Sequence, residues 1–158
     1  MVKLDNINTV SEKISIRNTT KDKALALSFS VVEEIKNEIL GKDYELSIVF
    51  VNEKLSHKLN FEYRGKDNPT NILSFNVGKN LGELVICQTV LKKEAKNFDK
   101  TPSKFLGFLV IHGMLHLKGL EHGSIMERKE QKYDEKYFSS YRRGLGKNPS
   151  ASRRIRKG

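Results

Sequence analysis

The sequence predicts an α+β fold, in which a small mixed β-sheet packs with helices and one helix is buried. Three observations indicate this fold. Residues 44–51 (YELSIVFV) are rich in β-branched and aromatic residues, as strands are. Residues 71–87 hold two more apolar segments around a turn-rich stretch, which is typical of a hairpin. Residues 102–118 are apolar on nearly every side, as a buried helix is.

The remaining elements follow from local start and stop signals. In chain order we predict a strand at residues 14–18, a helix at 19–40, the strand at 44–51, a short helix after Asn52, strands at 71–77 and 83–87, and helices at 90–98, 102–118 and 124–140. The first helix is placed by its caps, since Thr19 or Thr20 suits its start and Gly41 suits its end. Thr101 and Pro102 are a strong start for the buried helix.

The short helix after Asn52 is predicted to be amphipathic. Asn is a good N-cap residue, and the apolar side chains of Leu55, Leu59 and Phe61 lie on or near one stripe of this helix.

Positive charge is concentrated at the C-terminal end. The 158 residues include 29 Lys and Arg against 19 Asp and Glu, a net charge of +10. Seven of the basic residues and none of the acidic ones lie in residues 142–158. We expect one domain over residues 1–141, a usual domain size, and a basic, flexible tail over residues 142–158. The tail is either a solvated end or an arm that binds a polyanion such as nucleic acid.

No segment predicts a membrane span or an exported protein. The longest unbroken apolar runs have four residues, whereas a span needs about 20. The N-terminus lacks the apolar stretch of a secretory signal. The one cysteine, Cys87, has no partner for an internal disulfide. We expect a cytoplasmic protein in which Cys87 is a small buried residue.

Three of the four histidines lie within the stretch HGMLHLKGLEH. His112 and His116 are four residues apart on the predicted buried helix, about 40° apart around its axis and about 6 Å apart along it. Two imidazoles so placed can converge on one metal ion. A continuous helix would carry His122 about 15 Å along the axis from His112, so the chain has to fold back, and Gly119 stands where that break is needed.

A single histidine on an apolar helix is more often a hydrogen-bonded core residue than a ligand. Three of them around a break favour a metal site, because an apolar helix offers few polar partners for a buried imidazole cluster. The fourth histidine, His57, has no such neighbours and is expected to be a surface or packing residue.

The ligand set indicates a catalytic zinc site. Three neutral nitrogen ligands without a cysteine or carboxylate leave a fourth position open for water. Protease zinc helices carry a glutamate directly after the first histidine as general base, and Gly113 occupies that position here, which argues against a protease. Glu83 and Glu121 are candidates for a general base, although a solvated carboxylate is the more ordinary interpretation of each.

Three motifs in order carry a resemblance to a known family. HGMLHLKGLEH (112–122) resembles the three-histidine signature of the YbeY family, bacterial metal-dependent endoribonucleases of ribosome maturation. Upstream, LNFEYRGKDNPTNILSF (59–75) is similar to the second signature of that family, and LGELVIC (81–87) is similar to the third. Asn71 stands where the family often has Asp. The basic tail lies outside the family core.

The resemblance implies one zinc ion on His112, His116 and His122, and a functional arginine in the second motif, which here is Arg64. It also implies a single-strand-specific endoribonuclease that acts in 16S rRNA 3′-end maturation and ribosome biogenesis, with ribosomal particles as partners and residues 1–141 as the catalytic domain. Arg64 suits this chemistry, because a guanidinium stabilises the charge that phosphodiester cleavage builds on phosphate oxygens.

The residues around Arg64 also have plainer interpretations. Arg64 can be a turn residue paired with Asp67 or Glu62. Phe61, Tyr63 and Lys66 can stack on RNA bases or steer the RNA, although aromatic residues beside a helix end more often belong to the core.

Two other functions stay open at the level of the sequence. A non-catalytic ribosome-assembly factor would use the metal to stabilise its fold and a basic surface to bind ribosomal RNA. A metallohydrolase with a substrate other than RNA is the second. The open fourth ligand position favours an enzyme, because a purely structural metal site does not need one.

Overall fold

The computed structural model describes residues 9–138, in which five strands form one sheet and five α-helices surround it. In chain order the elements are β1 (Thr9–Val10), β2 (Ile14–Asn18), α1 (Phe29–Ile39), β3 (Glu45–Phe50), α2 (Glu53–Arg64), β4 (Ile72–Gly78), β5 (Leu81–Ile86), α3 (Gln88–Glu94), a 3₁₀ helix (Ala95–Phe98), α4 (Pro102–Lys118) and α5 (Ser124–Tyr137). The predicted tail, residues 142–158, lies outside the described residues.

The sheet is mixed, with the strand order β1-β2-β3-β5-β4. The pairs β2–β3 and β3–β5 are parallel, whereas β1–β2 and β4–β5 are antiparallel. The α+β prediction and the hairpin predicted over residues 71–87 are therefore confirmed. β4 lies at one edge of this sheet, so its outer side is not paired with another described strand.

Alternate strand residues face two different apolar clusters. On one face, Ile48 and Leu84 belong to the main core, which also contains the apolar residues of α1 and α4. On the other face, Val49 and Val85 pack in a smaller cluster together with Leu59 of α2. Because successive side chains of a strand point to opposite faces, α4 and α2 lie on opposite sides of the sheet.

α4 is the buried helix that the sequence predicts. Its N-cap residue is Thr101, whose hydroxyl accepts a hydrogen bond from the backbone N–H of Lys104 at 3.2 Å, and Pro102 is the first helical residue. Phe105, Leu106 and most of the residues that follow are buried. Among residues 9–138, no helix combines the length and the apolar character that crossing a bilayer requires.

The first helix begins later than the sequence predicts. α1 is capped by Ser28, whose side chain accepts from the backbone N–H of Val31 at 3.3 Å. The predicted caps, Thr19 and Thr20, lie upstream of the helix, and the Thr19 hydroxyl donates to the carbonyl of Phe50 at 2.7 Å. The prediction for residues 19–28 is therefore wrong.

A long-range contact explains the late start of α1. The side-chain oxygen of Gln88 accepts from the backbone N–H of Leu25 at 3.0 Å, and its nitrogen donates to the carbonyl of Lys23 at 2.8 Å. These backbone groups are thus satisfied by a residue that lies more than sixty positions away in the chain, rather than by helical bonds. Local capping signals carry no information about such a partner.

Smaller differences concern the ends of elements. β1 has only two residues and was not predicted. The helix predicted at 90–98 consists of α3, which already begins at Gln88, and the 3₁₀ helix that follows it. α5 ends at Tyr137, and the predicted last residues 139–140 lie outside the described range. Cys87 is buried, as predicted.

Candidate metal centre

His112 and His116 lie one turn apart near the C-terminal end of α4. Residues at this spacing are neighbours on one side of a helix, and the centroids of the two rings are 4.6 Å apart. His112 is buried and His116 is half-buried. The helix therefore places two imidazoles together at the boundary between the core and the solvent.

Gly119 ends α4 and turns the chain back towards these histidines. Its φ is 107°, in the left-handed region, and its N–H donates to the carbonyl of His116 at 2.9 Å. The reversal brings the ring of His122 to 4.6 Å from that of His116 and 5.5 Å from that of His112 between centroids. The break predicted at Gly119 is confirmed.

The three histidines form one compact cluster. Each offers a ring nitrogen, and these nitrogens all lie within 4.8 Å of one another. His122 is exposed, so the cluster is open to solvent on its side. Within residues 9–138, no thiolate or carboxylate belongs to this group. The cluster is a candidate metal site with three nitrogen ligands.

Two of the three rings have a hydrogen-bond partner at Nδ1. Nδ1 of His112 lies 2.5 Å from Oε2 of Glu130 on α5, and both residues are buried. Nδ1 of His116 lies 3.1 Å from the carbonyl oxygen of Leu120. Both acceptors leave Nε2 of each ring available as a ligand. The sequence analysis did not find Glu130, because no motif connects it to the histidines.

Burial lowers the pKa of His116 below its usual value, and the neighbouring His112 lowers it further. The hydrogen bond to the carbonyl of Leu120 acts in the opposite direction but is the smaller effect. These effects favour the neutral form of His116 over the charged form. The neutral imidazole is the form that binds a metal ion.

The geometry of the cluster fits a single metal ion. Two nitrogens bound to one zinc at about 2.1 Å lie at most about 4.2 Å apart. The three ring nitrogens lie within 4.8 Å of one another. Side-chain shifts of about 1 Å would therefore bring them to the distances that one bound ion requires. The carboxylate and the carbonyl behind His112 and His116 are the groups that commonly support metal-binding imidazoles.

Gly113, where a zinc protease has its glutamate, faces the sheet. A Cβ atom at this position would lie 2.6 Å from Cδ2 of Leu84 and 3.0 Å from Cδ1 of Ile72. α4 packs so closely on β4 and β5 here that no larger residue fits without displacing the core. A general base at this position is thus excluded by packing as well as by sequence.

The other two carboxylates considered as a base lie in different places. Glu83 is on β5 next to Leu84, so its side chain is on the face of the sheet away from α4, where it accepts a hydrogen bond from Ser47 at 3.3 Å. The structure therefore does not bring Glu83 to the histidines. Glu121 is exposed in the turn directly before His122.

Arg64, the predicted catalytic residue, is the last residue of α2 and is exposed. The helix ends on Gly65, whose φ of 71° is left-handed. α2 packs on the face of the sheet opposite α4, and Arg64 lies at the exposed C-terminal end of this helix. Its catalytic role remains a prediction.

The loop between α2 and β4 is held by polar side chains of the helix. The contacts are Ser56 Oγ with the backbone N and O of Thr70 at 2.9 and 2.8 Å, His57 Nε2 with Asp67 Oδ1 at 2.7 Å, and Asn60 Nδ2 with the carbonyl of Asn68 at 2.8 Å. Ser56 and Asn60 are buried under this loop. The segment that follows Arg64 is therefore hydrogen-bonded to α2, the helix that carries Arg64. His57 contributes one of these contacts at the surface.

The apolar stripe predicted for α2 is wrong in part. Leu59 packs on the sheet, but Leu55 and Phe61 are exposed, and the buried residues of the helix are the polar Ser56 and Asn60. The helix buries this polar side because the loop covers it and supplies hydrogen-bond partners.

Phe61 and Tyr63 are surface residues, contrary to the expectation that they belong to the core. Their exposed fractions are 57% and 65%. The rings of Tyr63 and of Phe75 on β4 form a T-shaped pair with their centroids 5.0 Å apart. The preceding residue of β4, Ser74, donates from its hydroxyl to the carbonyl of Gly113 on the histidine-bearing helix at 3.3 Å. One edge strand thus contacts both the exposed aromatic ring and α4.

A mixed α+β sheet with an open three-histidine cluster defines a candidate metalloenzyme. The family model described as Endoribonuclease YbeY matches residues 6–141. The chain therefore belongs to the YbeY endoribonuclease family, as the three sequence motifs indicate.

Curated relatives agree with this assignment. The chain is 44% identical to the endoribonuclease YbeY of Bdellovibrio bacteriovorus over 98 residues, which are 58% of this chain and 65% of the relative. It is 44% identical to that of Colwellia psychrerythraea over 97 residues, 57% of this chain and 63% of the relative. The match thus spans just under two thirds of the length of these two relatives. With that of Staphylococcus carnosus it is 35% identical over 107 residues, 60% of this chain and 70% of the relative.

A solved structure shares the fold. The solution structure of TM1509 from Thermotoga maritima superposes with a TM-score of 0.53 at 31% sequence identity. The superposition covers 70% of this chain and 79% of that protein.

Proposed function

We propose that this protein is a zinc-dependent endoribonuclease that cleaves single-stranded RNA. The observation that carries the proposal is the cluster of His112, His116 and His122, with three ring nitrogens within 4.8 Å and no carboxylate or thiolate in the group among the described residues. Three nitrogen ligands and an open position are typical of catalytic zinc sites. RNA is proposed as the substrate because the relatives of this chain are named endoribonucleases.

The chemistry divides between the ion and the side chains. His112, His116 and His122 would hold the ion, which would supply Lewis-acid stabilisation of phosphate charge and activation of water. Glu130 and the carbonyl of Leu120 contact the Nδ1 atoms of His112 and His116. Arg64 binds the phosphate through two parallel N–H···O bonds and stabilises the charge that develops on its oxygens during cleavage.

The exposed aromatic rings supply a reason for a single-stranded substrate. An unpaired base can stack on an exposed ring, whereas the faces of paired bases in a duplex are already covered by their neighbours. The T-shaped contact with Phe75 restrains the ring of Tyr63, which stays largely exposed. Phe61 offers a second exposed ring on the same helix. Arg64 follows directly on Tyr63, so a phosphate bound by Arg64 places the neighbouring bases near the aromatic residues.

The finer proposal concerns the RNA itself. The family resemblance supports a role in maturing the 3′ end of 16S rRNA on ribosomal particles, in the cytoplasm. Immature small subunits incubated with the protein should show shortening at this end, which sequencing of the RNA 3′ ends measures. An unchanged 3′ end, with efficient cleavage of other single-stranded RNA, would support the nuclease activity and contradict the role in 16S rRNA maturation.

The test of the activity combines metal analysis with RNA cleavage. The purified protein should carry about one zinc per chain, and His116→Ala should lose most of it. A labelled single-stranded RNA should be cleaved by the wild type, and the same strand in a duplex should be resistant. Arg64→Ala should lower the turnover by about 100-fold, and Arg64→Lys should also lower it markedly, because the planar fork is lost.

Arg128→Lys on the exposed side of α5 is the matched control, and it should keep full turnover. Both Arg64 variants should keep the zinc content and the melting temperature of the wild type. A protein that binds zinc and RNA but cleaves neither free RNA nor ribosomal RNA would instead be a non-catalytic assembly factor. Wild-type turnover in Arg64→Lys would return Arg64 to a structural role at the end of α2.

A further inference from the structure

Glu130 is a buried acid with one close polar partner. Only 5% of its surface is exposed, and its Oε2 lies 2.5 Å from Nδ1 of His112, itself 4% exposed. The two residues are eighteen positions apart, on α5 and α4, and the intervening chain contains both Gly119 and His122. A carboxylate buried in this way is costly unless it accepts a strong hydrogen bond.

The chemistry of the two groups decides which atom carries the proton. With Glu130 as a carboxylate, which can only accept hydrogen bonds, Nδ1 of His112 is the donor. A neutral imidazole then has its lone pair on Nε2. Glu130 thereby selects the neutral tautomer of His112 in which Nε2, the nitrogen that Glu130 does not contact, is free to bind a metal ion.

We infer that Glu130 is a positioning residue for the metal site, an inference that rests on the proposed metal binding by the three histidines. Its carboxylate fixes the tautomer and the rotation of His112 and makes Nε2 a stronger ligand. His116 receives a weaker support from the backbone carbonyl of Leu120. α5 thus contributes to the metal site although it carries none of the ligands.

A purely structural role for Glu130 makes a different prediction. In that case the contact with His112 would only hold α5 on α4, and its loss would lower the stability of the metal-free protein without changing the metal affinity of the folded protein. The two roles are therefore separated by measuring metal binding and unfolding in the same variants.

The experiment uses the full chain and three variants. Glu130→Gln keeps the shape and an accepting oxygen but removes the charge. Glu130→Ala removes the acceptor. Glu127→Gln is the control, since Glu127 is exposed on the same helix. The readouts are the zinc dissociation constant from chelator competition, the visible spectrum of the cobalt-substituted protein, the melting temperature of the metal-free protein, and the tautomer of His112 from nitrogen-15 NMR of its imidazole.

We expect Glu130→Gln and Glu130→Ala to weaken zinc binding by about 10- to 100-fold and to change the cobalt spectrum. In the metal-free Glu130→Ala protein, His112 should lose its preference for the Nδ1–H tautomer. Glu127→Gln should match the wild type in every readout. Glu130→Gln should keep a melting temperature close to that of the wild type, and refolded Glu130→Ala should still give a dispersed NMR spectrum.

Wild-type zinc affinity in both Glu130 variants, with the same His112 tautomer, would overturn the inference while leaving the three-histidine site intact. A His116→Ala variant with the same zinc content as the wild type would overturn the metal site itself. The two failures are thus distinguishable, and neither readout depends on RNA cleavage.

Discussion

The carbonyl oxygen of Leu120 lies 3.1 Å from Nδ1 of His116. Leu120 directly follows Gly119, whose left-handed φ of 107° ends α4. The same turn therefore presents an acceptor to one histidine and returns the chain so that His122 joins the cluster. The conformation of one glycine thus bears on two of the three candidate ligands.

We predict that Gly119→Val weakens metal binding although no ligand is altered. A β-branched residue at this φ costs about 1–2 kcal/mol, and relief of that strain would move both Leu120 and His122. Apart from the adjacent residues 118 and 120, no heavy atom of the described residues lies within 4 Å of the position that a Cβ would occupy, so the effect has a conformational rather than a steric cause. The zinc dissociation constant should rise at least about 10-fold.

Gly41 provides a matched control for Gly119. It has the same φ of 107°, it also follows a helix, and its Cβ position is equally open. Gly41→Val should therefore lower the free energy of unfolding of the metal-free protein by a similar amount and leave zinc affinity unchanged. Equal zinc affinity in the two variants would show that the turn at Gly119 does not control the ligands.

The sequence predicted the parts of the fold and the site that local patterns encode. The spacing of His112 and His116 with Gly119 behind them was sufficient to predict the cluster, because helix geometry relates these residues directly. The caps of α2 and α4 were also correct, since the side chain of each N-cap residue bonds to a backbone group three positions later.

What the sequence could not predict depends on residues that are distant in the chain. The late start of α1 depends on Gln88, and the support of His112 depends on Glu130. The exposure of Phe61 follows from a loop that covers the opposite, polar side of α2. In each case the outcome depends on a contact with a residue that is distant in the chain, and no periodicity or motif in the sequence identifies that residue.

We predict that Asn71→Asp destabilises the protein, although the family often has Asp at this position. Nδ2 of Asn71 donates to Oε1 of Glu94 at 2.7 Å, and both residues are half-buried. An aspartate would replace this donor with a second carboxylate. The free energy of unfolding, measured by urea denaturation at neutral pH, should fall by about 1–3 kcal/mol.

The double variant Asn71→Asp with Glu94→Gln tests the cause. Its glutamine amide can donate to the new aspartate, so it should recover part of the lost stability and give a coupling energy between the two positions. Additive losses in the double variant would show that the contact between Asn71 and Glu94 contributes nothing.

We predict that Tyr63→Ala weakens the binding of single-stranded RNA. Stacking of one base on an aromatic side chain is worth about 1–3 kcal/mol, so the dissociation constant should rise about 5- to 100-fold. Tyr63→Phe keeps the ring and should bind as the wild type does. Val77→Ala, at an exposed apolar residue of β4, is the control for loss of apolar surface. The measurement is fluorescence anisotropy with a short labelled RNA.

An RNA with a single abasic site sharpens this test. If a base stacks on Tyr63, one position of the abasic site should weaken binding to the wild type and have no further effect on Tyr63→Ala. An equal loss in both proteins at every position would exclude stacking on this ring.

The last prediction concerns residues 142–158, which hold seven basic residues and no acidic one. The rest of the chain contributes only +3 of the net charge of +10, so this segment dominates any long-range attraction for RNA. If it binds phosphates, its deletion should weaken RNA binding most at low salt. The plot of log affinity against log salt should become flatter by about 0.7 for each lost contact with a single strand.

Turnover at saturating RNA should stay near the wild-type value, since the histidines and Arg64 are untouched. A truncated protein with the same affinity and salt slope on both free RNA and ribosomal subunits would reduce the segment to a solvated end, because seven phosphate contacts cannot be lost without changing the number of counterions released.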